Sequence, residues 1–497
     1  MQRRDPPLNG RAKAGPQPGA AAPLDEWMRA QYALSALHMA GSISATHLTR
    51  RRAAFGQAIT PKPGSVLASP APGFYDPDPD YFFHWLRDSA LVMDACAILI
   101  RDALPGADWA RHFADFVRFS LGLNRLQGRE LHPGRLRRQV APDFRRYMRP
   151  AQELRAIAGD RVPEEARYNP DGTLDIIRWS RPQQDGPALR ALAVLRHWRL
   201  EAPYSRRDRE AMAALLLEDL DFVLRRRDLP SYDLWEDNLD LHYHTQLVQH
   251  AALLDGAAWA EAHGQGSRAG RYRSAAGLLA QRLDGLWTPD EGLYRSRSGV
   301  GFSHPKQPDI AVILAVIQAR LPGGRHSVLD DRVHATLLQL EDVFAADYAI
   351  NRSREPGLGR AMGRFRGDLY FSGGAYYFAT LGTAEFYYRL AAALRRPEVA
   401  EAAAEAAAEA AEADGALLRR ALREAGPTSG ADRAALVRAL IGKGDAIMAT
   451  VRKYTPASGA LSEQFDQTTG AQTSAKDLAW SYAAFITAFD ARRQALA

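Results

Sequence analysis

Apolar residues recur at helical spacing through almost the whole chain, while alternating strand-like runs are few and short. In one stretch Ser89 caps a helix with Leu91, Val92, Ala95, Cys96, Leu99 and Ile100 on one side, ending before Pro105. Thr245 begins another, with Leu247, Val248, Ala251 and Leu254 turned inward, ending near Gly264. The same spacing predicts helices over 109–123, 185–200, 208–225, 270–286, 308–320, 328–343, 374–395, 431–453 and 476–494. About a dozen helices without strand–helix alternation indicate an all-α chain. An alanine-rich segment at 399–425 has high helix propensity, with Leu417, Leu418 and Leu422 suited to docking one face. Residues 1–24, rich in Pro, Gly, Ala and Arg, are expected to be a flexible tail, and 25–497 a single domain.

Of the 497 residues, 46% are hydrophobic and 25% charged, enough for a large core. The net charge of +6 comes from arginines scattered among acids, without the basic stripe that nucleic acid requires. Cys96 is alone, which excludes an intramolecular disulfide and a cysteine-based zinc site. No run of 18 apolar residues is present, and the N-terminus lacks the apolar core of a secretory signal. A protein of the cytoplasm or periplasm, bound to neither membrane nor nucleic acid, is expected. No phosphate-cradling glycine loop follows a strand, so no nucleotide cofactor is expected.

The loops between helices carry the unusual residues. In DYFFHWLRDSALV, Arg87 and Asp88 sit beside Tyr81 and Trp85. A donor and an acceptor side by side can grip vicinal hydroxyls, and an aromatic plane suits a sugar ring; a capping Asp in a structural ion pair is the plainer alternative. The loop 168–192 gathers Trp179, Arg181, Gln183 and Asp185, more polar groups than a surface turn needs. In YDLWEDN, Asp233, Glu236 and Asp237 lie within five residues around Trp235. Like-charge repulsion and desolvation there would raise carboxyl pKa values, as a general acid at neutral pH requires. His242, His244 and His250 are two and six residues apart, not the four of a helical metal pair, and no metal is expected. Two further stretches hold Arg364, Asp368 and Tyr370 before a glycine turn, and Glu463, Gln464, Trp480 and Tyr482 around a Thr/Gly turn.

Together, WLRDSALV, RPQQDGPALRA, DLWEDN followed by VQH, GRFRGDLYFSGG, and LSEQFD with DLAWSYAA resemble the glucoamylase family, glycoside hydrolase family 15, over about residues 60–490. The resemblance is to the bacterial type without a starch-binding module. It implies an (α/α)6 barrel of six inner and six outer helices with its pocket among the loops at one end. It further implies an inverting, exo-acting glucan 1,4-α-glucosidase that needs no cofactor, acting as a monomer on α-glucan oligosaccharides. By position, Glu236 matches the general acid and Glu463 the general base. Arg87 and Asp88 match the pair holding the terminal glucose, and Arg364 a second arginine at the pocket floor. Tyr81, Trp85, Trp179, Arg181, Trp235, Tyr370 and Trp480 match pocket-lining positions, Asp185 and Asp233 supporting carboxylates, and Gln464 the neighbour of the base, where its amide would orient a water. Asp237 stands where fungal members have a Glu that touches the leaving sugar, residues 238–244 replace a small Asn/Ser-rich stretch, and Tyr376 stands where Trp is common. These departures keep α-1,6-glucans and trehalose open as substrates, and a non-catalytic glucan-binding protein is the alternative from another class.

Overall fold

The computed structural model describes residues 23–73, 78–299, 306–352, 355–396 and 430–497. The expected tail, up to residue 22, and the alanine-rich segment lie outside the described residues. Twelve helices of nine or more residues are described: α1 (Leu24–Ala40), α2 (Leu86–Arg101), α3 (Trp109–Leu123), α6 (Asp185–Trp198), α7 (Arg206–Arg226), α8 (Tyr243–Ala262), α9 (Gly266–Asp284), α10 (Ala311–Ala319), α11 (Asp331–Asp347), α12 (Tyr377–Leu394), α13 (Gly430–Lys453) and α14 (Ala479–Leu496). Two short helices, α4 (Pro133–Gln139) and α5 (Ala151–Arg155), sit in the connection after α3.

Helices α2, α6, α8, α10, α12 and α14 each pack on the next, and α14 closes back on α2. The other six long helices lie outside this ring and alternate with it along the chain, giving the expected (α/α)6 barrel. Sequence explains the split. The nine residues AVILAVIQA of α10 are all buried, as an inner helix covered on every side must be. Outer α7 instead buries Met212, Leu215, Leu216, Leu220 and Val223 at helical spacing and turns most of its charges outward, with Asp219 the exception. Ser205 and Asp208 form a reciprocal cap at its start, which satisfies two backbone donors. Arg190 on α6 ties the two layers together by donating to both oxygens of Asp219 on α7, at 2.8 and 2.7 Å, with both side chains buried.

Helix α2 begins at Leu86, three residues before the expected Ser89 cap, and the Ser89 hydroxyl donates to Leu86 O at 3.0 Å inside the first turn. The earlier start comes from outside the helix. Strand β1 (His84–Trp85) pairs with β2 (Arg167–Tyr168), and Leu86 N donates to Ala166 O at 3.2 Å. Among the described residues, the strands are two or three residues long and pin loops rather than form a core. Cys96 is buried, and no described helix is long and apolar enough to cross a membrane.

Candidate active site

Loops leading into five of the six inner helices line a cavity of about 470 Å³ at one end of the barrel. Twelve of the expected residues line it: Tyr81, Trp85, Arg87, Asp88, Trp179, Trp235, Glu236, Asp237, Arg364, Tyr370, Glu463 and Trp480. Towards the barrel axis, Phe378 stacks on Trp480 with ring centroids 3.9 Å apart, and both rings also border a separate cavity of about 30 Å³ deeper in the core. The close approach of loops explains one motif residue. At Gly186 in QDGP, a Cβ would stand 2.5 Å from Leu86 Cβ, so only glycine lets the start of α6 pass the start of α2.

Glu236 has φ of +65°, a left-handed conformation that side chains other than glycine rarely adopt. Its loop holds it there. Glu236 N donates to Asp233 O at 2.9 Å, the Asp233 carboxylate accepts from the amides of Asp237 and Asn238 at 2.7 and 3.1 Å, and Ser180 Oγ donates to Glu236 O at 2.5 Å. The carboxyl is aimed as firmly: Trp85 Nε1 and Gln183 Nε2 donate to Oε1 at 2.8 and 2.7 Å, and Trp179 Nε1 donates to Oε2. The three acids expected to act as one cluster therefore diverge. Asp233 turns into its loop, and Asp237 pairs with Lys306 at 2.7 Å.

Glu463 enters from the far side of the sequence, just ahead of β4 (Gln464–Phe465), which pairs with β3 (Ala375–Tyr376) and β5 (Gln472–Thr473). Burial pushes its carboxyl up to about 7, although the Ser474 hydroxyl donates to Oε2 and works against that rise. Arg87 sits between carboxylates, at 3.2 Å from Asp185, 3.4 Å from Asp88 and 3.5 Å from Glu236. Burial pushes Asp88 up to about 6 against the pull of Arg87. Asp88 Oδ2 and Arg87 Nε are buried yet make no hydrogen bond among the described residues. Across the cavity, Arg364 donates to Asp368 at 2.7 Å and lies 5.5 Å from the Trp235 ring, while the Tyr81 and Tyr370 hydroxyls meet at 2.6 Å.

Two expectations need correction. Arg181 does not line the cavity: it turns back to Glu165 and Asp175, at 2.6 and 3.0 Å, because those buried carboxylates require cations. Gln464 also stands behind the wall, where its amide donates to Tyr376 Oη at 2.8 Å and Tyr370 O at 3.2 Å, so it fixes two wall residues rather than orienting a water. Asp185 accepts from Arg87 Nη1 at 3.2 Å. The histidines separate to three acceptors: His242 to Asn238 O, His244 to Gln318 Oε1 and His250 to Ala276 O.

Sequence reasoning missed Arg167, whose guanidinium lies 3.7 Å from the Trp179 ring and 4.9 Å from that of Trp85, and missed Ser474. It also missed Asp309, which accepts from Trp235 Nε1 with both oxygens, at 3.0 and 3.1 Å. Burial pushes Asp309 up to about 7, against the hydrogen bonds from Ala311 N and Trp235. The folded protein thus favours neutral Asp309 and the unfolded chain does not, so its ionisation lowers stability progressively from pH 3.8 to about 7. Asp309→Asn retains an acceptor for Trp235 without the charge. Its Tm relative to the unaltered protein should therefore rise between pH 4 and pH 8 in thermal melts, and a constant difference would contradict this account.

A family model described as "Glycosyl hydrolases family 15" matches residues 151–490. The chain belongs to this family. It is accordingly a glycoside hydrolase and not the non-catalytic alternative. It is 26% identical to "Glucoamylase 1" of Rhizopus oryzae over 86% of this chain and 67% of that protein. It is 27% identical to the "Probable glucoamylase" of Schizosaccharomyces pombe over 96% of this chain and 93% of that protein. The solved glycoside hydrolase family 15 glucoamylase of Hypocrea jecorina superposes with a TM-score of 0.73 at 23% identity, over 95% of this chain and 72% of that one, and so shares the barrel. These relatives are fungal and give no support to the bacterial type expected above.

Proposed function

We propose that the protein is an inverting, exo-acting glucan 1,4-α-glucosidase of glucoamylase type, releasing glucose from the non-reducing ends of α-glucans. One observation carries this reading: Glu236 and Glu463 face a single pocket, bordered by a Phe378–Trp480 stack on the axial side and holding Arg87 and Asp88 in its wall. Such a pocket accepts a chain end rather than a chain middle. Arg87 and Asp88, paired with each other at 3.4 Å in the pocket wall, would offer a donor and an acceptor to hydroxyls of the terminal glucose. Glu236 gives its proton to the glycosidic oxygen as the bond to the anomeric carbon breaks. A water attacks that carbon from the opposite face and loses its proton to Glu463. The names of the relatives point the same way.

Attack through water inverts the anomeric centre, so β-glucose is the expected first product from an α-linked substrate. Proton NMR or polarimetry taken faster than mutarotation reads this directly. Appearance of α-glucose first would mean that Glu463 attacks carbon itself, and the reading would fall. A second reading, the same inversion on α-1,6-glucans or trehalose, draws on Asp237. Its carboxylate, one methylene shorter than a glutamate, is tied to Lys306 at 2.7 Å and stands 3.8 Å from Arg364. Rates of glucose release from maltose, isomaltose and trehalose rank these linkages, with maltose expected first.

A further inference from the structure

Among the described residues, the loop leading into α10 places no side chain on the cavity, yet it grips the loop of Glu236 on both sides of that residue. On one side, Trp235 Nε1 donates to both oxygens of Asp309, and both side chains are buried. On the other, Lys306 Nζ donates to Asp237 at 2.7 Å, in a pair that water reaches and that therefore holds weakly. The gripping loop is itself fixed from behind. Asp309 Oδ1 accepts from Ala311 N at 2.8 Å, Asp309 forms an antiparallel bridge with Phe365, and Ile310 N donates to Arg364 O at 2.9 Å. Asp309 thus joins two walls of the pocket, the one that carries Glu236 and the one that carries Arg364.

A glutamate in the left-handed region persists where its surroundings over-determine it. The donors from Trp85, Trp179 and Gln183 act on the Glu236 carboxyl rather than on its peptide. The Trp235 side chain, one peptide unit away, is what Asp309 holds. Away from water the indole N–H has no other acceptor to turn to, so losing Asp309 costs more than the net worth of one hydrogen bond. We propose that Asp309 is a positioning residue of the general acid, acting through the Trp235 indole to fix the peptide from which Glu236 reaches the glycosidic oxygen. This rests on the reading of Glu236 as the acid of an α-glucosidase. Asp309 touches no part of the substrate. Its effect is on where the proton donor stands, and a displacement of about 1 Å at a reacting group can cost about 10²-fold in rate.

The test compares Asp309→Leu, which keeps the branched shape and removes the acceptor, with Asp309→Asn, which keeps a carbonyl oxygen for the indole. On maltose, Asp309→Leu is expected to lower kcat/KM by about ten- to hundredfold. On α-glucosyl fluoride the loss should be at least about threefold smaller, because a leaving group that needs little protonation tolerates a misplaced acid. Asp309→Asn should stay within about threefold of the unaltered protein on both substrates. Trp235→Phe breaks the same bond from the donor side, so it carries the test if Asp309→Leu does not fold, and it should show the same contrast between substrates. No loss in Asp309→Leu, equal losses on the two substrates, or a loss as large in Asp309→Asn overturns the positioning role and leaves the pocket reading intact. Failure of the unaltered protein to hydrolyse maltose, or of Glu236→Gln to spare the fluoride, overturns the pocket reading and this inference with it.

Discussion

Replacing Glu236 by glutamine is expected to lower kcat/KM on maltooligosaccharides by about 10²- to 10⁴-fold, the usual worth of a positioned proton donor. On α-glucosyl fluoride the loss should be at least about tenfold smaller, because fluoride departs with little need of a proton. The contrast between the two substrates isolates proton donation from every other consequence of the change. Two indole N–H groups and the Gln183 amide converge on this carboxyl, so a glutamine amide N–H₂ must face at least one donor there. Thermal melts of the variant therefore belong with the kinetics. Equal losses on both substrates in a folded variant would remove Glu236 from the role of acid.

Glu463→Gln should cost a similar factor, about 10² to 10⁴, but to the same extent on the oligosaccharide and on the fluoride. Water must be activated whichever group leaves. The buried setting gives this assignment a second signature. Burial raises the Glu463 carboxyl to about 7 and makes it a stronger base than an exposed carboxylate, while the Ser474 hydroxyl stabilises its charged form. A base works only when ionised, so activity should fall as the pH drops through its pKa. Ser474→Ala removes a hydroxyl that favours the carboxylate, and the acid limb of the kcat/KM profile should move to higher pH. An acid limb that stays in place would mean that Glu463 does not govern it.

The two carboxyls differ in what holds them. Glu236 is aimed by a left-handed backbone and three side-chain donors that come from two other loops. Glu463 is held by the β3–β4–β5 sheet behind it: its amide donates to Ala475 O at 2.7 Å and its carbonyl accepts from Tyr377 N at 3.1 Å. Both are thus set by backbone geometry before any substrate arrives, and preorganisation of this kind limits the reorganisation needed in the reaction.

Helices and motif loops were legible in the sequence because both are written locally. A period of 3.6 residues marks a helix wherever it occurs, and α3 spans the expected 109–123 without adjustment. The catalytic-type residues were legible because each loop concentrates them within a few positions and because five such loops together resemble one family. Orientation was not legible. Arg181 and Gln183 stand two residues apart in one loop, yet the first turns away to Glu165 and Asp175 and the second reaches Glu236. Asp309 and Arg167 lie in stretches with no cluster to draw notice, and Ser474 lies inside a motif stretch as an ordinary serine; they act through partners 74, 12 and 11 residues away, namely Trp235, Trp179 and Glu463. The sequence by itself determined the helices and the chemistry carried by each loop. Only the tertiary structure decided which of two neighbouring polar groups faces the pocket, because a buried charge turns towards whatever counter-charge or donor the folded chain brings within hydrogen-bond reach.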